Sequence, residues 1–495
     1  MLTFPAYGLI VLIRELIPKI KRCAFRKHYF IFTENFGITM NWEQLLSPIR
    51  FGTNRSATKT EIQDKDAIRS AFEIDIDRVV FLESFRRLQN KTQVIPLPED
   101  AFVHNRLTHS LEVSSVGRTL GKLVGEEIIK RYPELKEKGV DSFYFGSIVA
   151  AAALAHDIGN PPFGHAGEKA ISEFYKFGDG QKYQSELNEK QWNDLSNFEG
   201  NAHGFRLLTN SNSGIAGGAR LSYATLATFS KYPKDSYPKS TGASGKKYGF
   251  FQAEKEMFEA IANEVGLISR SDNSVDLKWA RHPLAFLVEA ADDISYTVID
   301  FEDGYGLGII PFELFEELMI PLSGDYFNKT RYEQIGVETE KVRYLRALAI
   351  NNLINSLANV FISNEKDILK GTYDTPLMDH SELKSLAKQI IKISATKIYN
   401  SPSVVEIEMA GFEVIKGLLN IYTEAINAGI SGESSYYHSK IVQQLPDECF
   451  ANNRTPDKNL YLRLLKVTSY VASMTDAQAI KKYRQLKGIE LPGNN

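Results

Sequence analysis

The sequence predicts a mostly α-helical fold with only minor β contributions, and three observations predict it. From about residue 65 onward, apolar residues recur at helical spacing instead of alternating. No run of alternating strands and no glycine-rich phosphate loop interrupts that pattern. One segment, FYFGSIVAAAALAHDIG, is apolar almost all round and rich in alanine, as a helix buried on every side must be.

In chain order, residues 2–13 (LTFPAYGLIVLI) are largely apolar and a basic stretch (KIKRCAFRKH) follows. A secretory signal carries its positive charge before the apolar run, and a run this short does not span a bilayer. Residues 1–39 therefore read as an N-terminal extension or an over-long start, with a short anchoring helix as the alternative. Met40, in MNWEQLLSPIRFG, opens the first domain-like stretch. Leu107 to Tyr132 places Val113, Val116, Leu120 and Val124 on one helical stripe, and Pro133 ends it. Leu284 to Asp300 is a second apolar-periodic helix, and 341–365, 381–399, 404–428 and 460–487 read as helices too. Residues 209–220 are a Gly/Ser/Asn-rich loop. Residues 233–249 (PKDSYPKSTGASGKKYG) are a long, basic, flexible connection. Residues 40–310 read as a catalytic core and 311–495 as a C-terminal helical region completing the pocket.

The 495 residues, 43% apolar and 24% charged, suffice for one large core or two to three domains. A net charge of −3 gives no global sign of a nucleic-acid or membrane partner. Two distant cysteines, Cys23 and Cys449, argue against a disulfide framework or a cysteine-based zinc site and fit a cytoplasmic protein.

Chemistry concentrates in His109, in RLTHSLE, and in His156-Asp157, in ALAHDIGNPPFGHAGE. A carboxylate at the end of an apolar helix costs several kcal/mol unless it is paired, and a divalent cation can pair it. Adjacent helical residues point about 100° apart. They can still converge where the helix ends, as Gly159-Asn160-Pro161-Pro162 makes it do. His109 and Asp292, in EAADDISYTVID, are the candidates to complete a mixed N/O site, which suits Mg²⁺, Mn²⁺, Fe²⁺, Ni²⁺ or Zn²⁺. Each residue taken singly is more often a core or surface group, and the combination carries the inference. Arg106, three residues before His109, should project near the metal. His165 follows the Pro-Pro-Phe-Gly turn and should overhang it. Glu168 shares the helical face of His165, where it can orient the imidazole and raise its pKa. Asp292, Tyr296 and Asp300 fall at i, i+4 and i+8 and form one wall.

The segments HNRLTHSLEV, AHDIGNPPFGHAGE and EAADDISYTVIDFEDG resemble the deoxyguanosinetriphosphate triphosphohydrolase (dGTPase) family of HD-domain enzymes. FRRLQNKTQVIPL, the KYP at 231–233 and the tail YVASMTDAQAIKKYRQLKG extend the likeness over roughly residues 40–488. The resemblance implies an HD-domain helical fold with additional C-terminal helices. It implies hydrolysis of deoxynucleoside triphosphates, dGTP first, to deoxynucleoside and inorganic triphosphate. By position it makes His109, His156, Asp157 and Asp292, in preference to Asp293, the ligands of Mg²⁺ or Mn²⁺. It makes His165 and Glu168 catalytic. Gln93, Arg106, Lys231, Tyr296, Asp300 and Glu408 become substrate contacts, Gln93 at the sugar 3′-hydroxyl, Lys231 at phosphate and Glu408 at guanine. Residues 429–440 depart from the pattern, which weakens the guanine assignment. The resemblance also implies a dimer-based homo-oligomer, up to a hexamer, and single-stranded DNA or a nucleotide as effector, with no membrane partner. Two other readings compete: a 5′-nucleotidase-like HD hydrolase, and a regulatory nucleic-acid-binding protein whose basic element is Lys234 to Lys247.

Overall fold

The computed structural model describes residues 39–52, 69–93, 104–210, 217–237, 245, 247–271, 276–399 and 401–490. The extension read over 1–39, apart from Thr39, lies outside the described residues, as do the middle of the 209–220 loop and most of the tip of the 233–249 connection. Residues from Thr39 onward form one compact unit.

The architecture is helical, and β structure among the described residues amounts to isolated bridges such as Arg50–Ser222 and Thr92–Asn105. Helix α1 (Ala71–Val80) begins with a capping box between Ser70 and Glu73. Helix α2 (Arg106–Arg131) is capped by Asn105 and buries the stripe Val113, Val116, Leu120 and Val124. Gly117, Gly121 and Gly125 lie beside that stripe, buried. A Cβ on Gly121 would come 2.7 Å from the Phe145 carbonyl oxygen, so the bare backbone lets α2 close onto α3 (Ser142–Ala155). Every residue of α3 from Phe145 to Ala155 is buried, as its all-round apolar composition requires. The chain turns at His156, and α4 (Gly164–Phe177) starts eight residues later.

Helix α5 (Ala285–Gly306) packs against α2 and α3 and runs a turn and a half beyond the predicted Asp300. Helix α6 (Glu338–Leu369) packs its buried face, Val342, Leu345, Ala349, Leu353, Leu357 and Phe361, onto the same core. The predicted helix 381–399 ends in a π-helical turn, Ala395–Tyr399. Helix α7 (Pro402–Ser431) packs on α4, and a second apolar cluster fills that interface.

The predicted helix 460–487 is two helices, α8 (Leu460–Ser473) and α9 (Asp476–Leu486). Met474 is extended between them, and Thr475 caps α9 in a reciprocal box with Gln478. That Thr-x-x-Gln spacing is a start signal that outweighs the continuous apolar periodicity. The 233–249 connection is less free than its composition suggests. Lys234, Asp235, Ser236 and Tyr248 are buried.

Candidate metal centre and active-site cavity

Helices α2, α3 and α5 meet at their functional residues. His109 Nε2 lies 3.2 Å from Asp292 Oδ1, and His156 Nε2 lies 3.6 Å from the same oxygen. One atom from each of these three side chains falls within 4.8 Å of the others. Asp157 stands beside this trio, with Oδ1 3.6 Å from His156 Nε2. Its other oxygen accepts a 2.6 Å hydrogen bond from Arg106 Nη1. His156 Nδ1 donates to the Ala153 carbonyl at 2.7 Å, which leaves Nε2 with its lone pair facing the carboxylates. Ligands about 2.0–2.2 Å from one ion sit roughly 3.0–3.6 Å from each other, so the spacings observed fit a divalent cation.

The electrostatics agree. Burial alone would raise the Asp292 carboxyl, but the His109 hydrogen bond and His156 hold it at about 2. Asp157 is also buried, yet Arg106, with His156 and His109, keeps it well below the usual carboxylate range. Arg106 thus supplies part of the pairing that the sequence assigned to a cation alone. Burial works against a proton on His109, and Asp292 more than offsets it, so the imidazole titrates above its ordinary value. Asp293 is outside the three-residue cluster. Burial pushes it up to about 8 against the opposing pull of Lys231. The structure thereby separates two neighbours that sequence chemistry alone does not.

The centre opens into a cavity of about 550 Å³, within the range of small-molecule sites. All the residues singled out from the sequence line it except Asp300. Gln93, whose Oε1 is buried and unpartnered, stands at one side, and Glu408 of α7 is also in the wall. Asp300 sits behind the wall, 1% exposed, and accepts a 2.6 Å hydrogen bond from the Tyr399 hydroxyl. The Tyr399 ring stacks on Tyr296 with centroids 5.4 Å apart and planes 17° from parallel.

Glu168 has partners besides His165. Its Oε1 accepts from the Gly200 amide at 2.7 Å, at the start of the helix Gly200–Thr209. Its Oε2 faces Lys247 Nζ at 3.9 Å. The nearby carboxylate does favour a proton on His165, but burial outweighs it, with Lys247 and Arg106 adding to the loss, and the imidazole titrates below its ordinary value instead of above.

Three residues of this cavity, Lys247, Tyr399 and Glu289, and Arg281 behind it, escaped the sequence reading. Lys247 lines it and lies 3.3 Å from Glu199 Oε2, hidden in sequence among the lysines of the 233–249 connection. Tyr399 came from a π turn that no periodicity announces. Glu289 and Arg281 form a buried pair at 2.7 Å, and Lys231 lies 3.3 Å from Glu289. Glu289 stands one turn before Asp292 on α5, a spacing that could have flagged it.

A helical fold in which a histidine on one helix faces a His-Asp pair at the end of a second and an aspartate on a third defines an HD-domain phosphohydrolase, and residues 106–192 match the HD domain family. The chain belongs to the deoxyguanosinetriphosphate triphosphohydrolase family. A Synechocystis protein named deoxyguanosinetriphosphate triphosphohydrolase-like is 42% identical, with 91% of this chain and 100% of the relative covered. A Pseudomonas aeruginosa protein of the same description is 36% identical over 92% of this chain and 100% of its own length. The Yersinia enterocolitica deoxyguanosinetriphosphate triphosphohydrolase is 31% identical over 91% and 99%.

Proposed function

We propose that the protein hydrolyses deoxynucleoside triphosphates, dGTP foremost, at the α-phosphorus, releasing the deoxynucleoside and intact inorganic triphosphate. The observation that carries this reading is one cavity shared by the His109–His156–Asp292 cluster, the cations Arg106, Lys231 and Lys247, and the Tyr296 ring. His109, His156, Asp157 and Asp292 would hold a divalent cation, Mg²⁺ or Mn²⁺, which when bound supplies Lewis-acid polarisation of a phosphoryl oxygen.

The chain's own residues supply the rest. Lys231 and Lys247 carry charge complementary to a triphosphate, and Arg106 faces the same space. His165 stands exposed on the cavity wall and titrates below its ordinary value, so it can take a proton from water and pass one to the departing 5′-oxygen. Glu168, fixed by the Gly200 amide, sets the charge beside it. Tyr296 offers an apolar floor for a deoxyribose, with Gln93 Oε1 free to accept from the 3′-hydroxyl. Glu408 can accept from the amino edge of guanine, and the likeness to the Yersinia enterocolitica deoxyguanosinetriphosphate triphosphohydrolase supports dGTP.

The test is to incubate the purified protein with each dNTP and Mn²⁺ or Mg²⁺ and identify the products. Deoxynucleoside plus intact triphosphate is expected. Monophosphate with pyrophosphate, or orthophosphate released from monophosphates alone, would replace the reading with another HD hydrolase activity.

A further inference from the structure

The tail segment YVASMTDAQAI has no part in the chemistry above, yet its aspartate reaches into the cavity wall. Asp476 is the first residue of α9 and only 1% exposed. Its Oδ1 accepts the Phe163 amide at 3.0 Å. Its Oδ2 accepts the Thr92 amide at 3.1 Å and also the Thr92 hydroxyl. Phe163 has φ 62° and ψ 19°, the left-handed conformation that side chains other than glycine's rarely adopt. It stands two residues before His165.

Two further contacts hold the same turn. Lys91, 3% exposed, donates from Nζ to the Asn160 carbonyl and, at 3.1 Å, to the Ala472 carbonyl. The Phe163 ring is seated where α7 has no side chain, since a Cβ on Gly411 would lie 2.6 Å from Phe163 Cγ. The turn that delivers His165 is therefore tied at Asn160, at the Phe163 amide and at the Phe163 ring. Two of the three ties run to the facing ends of α8 and α9: Ala472 through Lys91, and Asp476 directly. The same carboxylate holds Thr92, the neighbour of Gln93.

We propose that Asp476, assisted by Lys91, is a positioning residue: it fixes the left-handed Phe163 turn and so aims His165, and through Thr92 it aims Gln93, into the cavity. This rests on the reading of His165 and Gln93 given under Proposed function. An extended alternative at Phe163 would move the start of α4, and a displacement of about 1 Å at a reacting group is enough to cost on the order of 10²-fold in rate.

The experiment uses the full chain with Asp476→Asn and Thr92→Val. An asparagine turns an N–H₂ toward one of the two amide donors, so either Phe163 or Thr92 loses its acceptor. With dGTP and Mn²⁺, kcat per bound metal should fall on the order of 10²-fold. Mn²⁺ stoichiometry and the helical circular dichroism should be retained, because the metal candidates lie on α2, just past the end of α3 and on α5. Hydrogen exchange should quicken in peptides covering 160–166 and stay unchanged in α6. Thr92→Val, which removes one hydroxyl and folds more safely, should raise KM severalfold with a smaller loss of kcat. Asp476→Asn with wild-type kcat per metal and unchanged exchange at 160–166 would overturn the proposal. So would an unchanged KM in Thr92→Val if Asp476→Asn does not fold. If the wild type splits no dNTP into deoxynucleoside and triphosphate, the functional reading fails by itself. The exchange comparison then decides the clamp alone: faster exchange at 160–166 upholds it and no change overturns it.

Discussion

Removing the carboxylate of Glu289 should cost stability and substrate affinity through two different cations. Glu289 is 5% exposed and Arg281 4%. They lie 2.7 Å apart, and the next carboxylate from Arg281 is Asp374 at 3.9 Å. Deleting one partner of a buried pair costs about 3–5 kcal/mol, because the other charge stays uncompensated. Asp374 moderates that loss, and Lys231 lies on the cavity with 29% of its side chain exposed, so it can rehydrate. Glu289→Ala should therefore sit near the lower end, about 3 kcal/mol, and Glu289→Gln, which keeps an acceptor, at about 1–2 kcal/mol. Replacing both partners, Arg281→Met with Glu289→Leu, should recover most of the loss, since an apolar pair of similar volume often matches a buried ion pair. Urea unfolding of the metal-free protein measures all four corners of the double-mutant cycle. The affinity effect should not be recovered: the double variant leaves Lys231 without its anchor, and KM for dGTP should rise severalfold in every variant lacking the carboxylate. A Glu289→Ala loss under about 1 kcal/mol, or a double variant as unstable as the sum of its singles, would refute the reasoning.

Three other outcomes follow from the geometry. His156→Ala or Asp157→Ala should abolish dNTP hydrolysis and most Mn²⁺ binding, with the circular dichroism still helical; full activity in either variant would remove the metal assignment. His165→Ala should lower turnover on the order of 10²–10⁴-fold without changing the dGTP-to-GTP ratio, whereas Tyr296→Ala should erode that ratio, both read from released triphosphate. His104 donates from Nδ1 to Asp303 at 2.6 Å, with Glu112 3.1 Å from Nε2, and these carboxylates raise the imidazole from 6.5 to about 10. A raised folded-state pKa stabilises fully below the unfolded value and loses that contribution as pH rises through the folded one. The stability gap between wild type and Asp303→Asn should therefore narrow from neutral pH toward pH 10, and a gap that widens over this range would contradict the ion pair.

Much of this was legible because it is local. The stripe on α2 and the all-apolar α3 follow from spacing and composition alone, and the Pro-Pro pair marks the abrupt end at which His156 and Asp157 stand. Illegible features were of two kinds. One is a competing local signal: Thr475-x-x-Gln478 splits a continuous apolar pattern into α8 and α9, and periodicity has no means of weighing that cap. The other is partnership across the chain. Glu168 was paired with His165 because they share a helical face, but the structure gives its oxygen to the Gly200 amide, 32 residues away. Lys247 looked like one more lysine in a flexible stretch, and only the fold brings it to Glu199 and Glu168.

Helix α5 shows why those long-range partners matter more than residue type. Among its acids, Glu289, Asp292, Asp293 and Asp300 are each pushed toward the neutral form by desolvation, although the Asp292 side chain stays 34% exposed. What differs is what faces them. Lys231 and Arg281 overcome burial at Glu289, and the two imidazoles overcome it at Asp292, so both titrate below their ordinary values. Asp293 shares Lys231 with two other carboxylates and rises to about 8. Asp300 has His109 at longer range and a hydrogen bond from Tyr399, too little to offset burial, and it rises to about 7. Near neutral pH the helix therefore holds charge firmly at Glu289, which anchors a cation of the cavity, and at Asp292, which faces the histidines. A cation beside His109 and His156 would meet the ionised Asp292 of this helix, with Asp157 offering a second carboxylate just past the end of α3. Sequence chemistry leaves Asp292 and Asp293 equivalent; their surroundings favour charge at Asp292, which faces the two imidazoles.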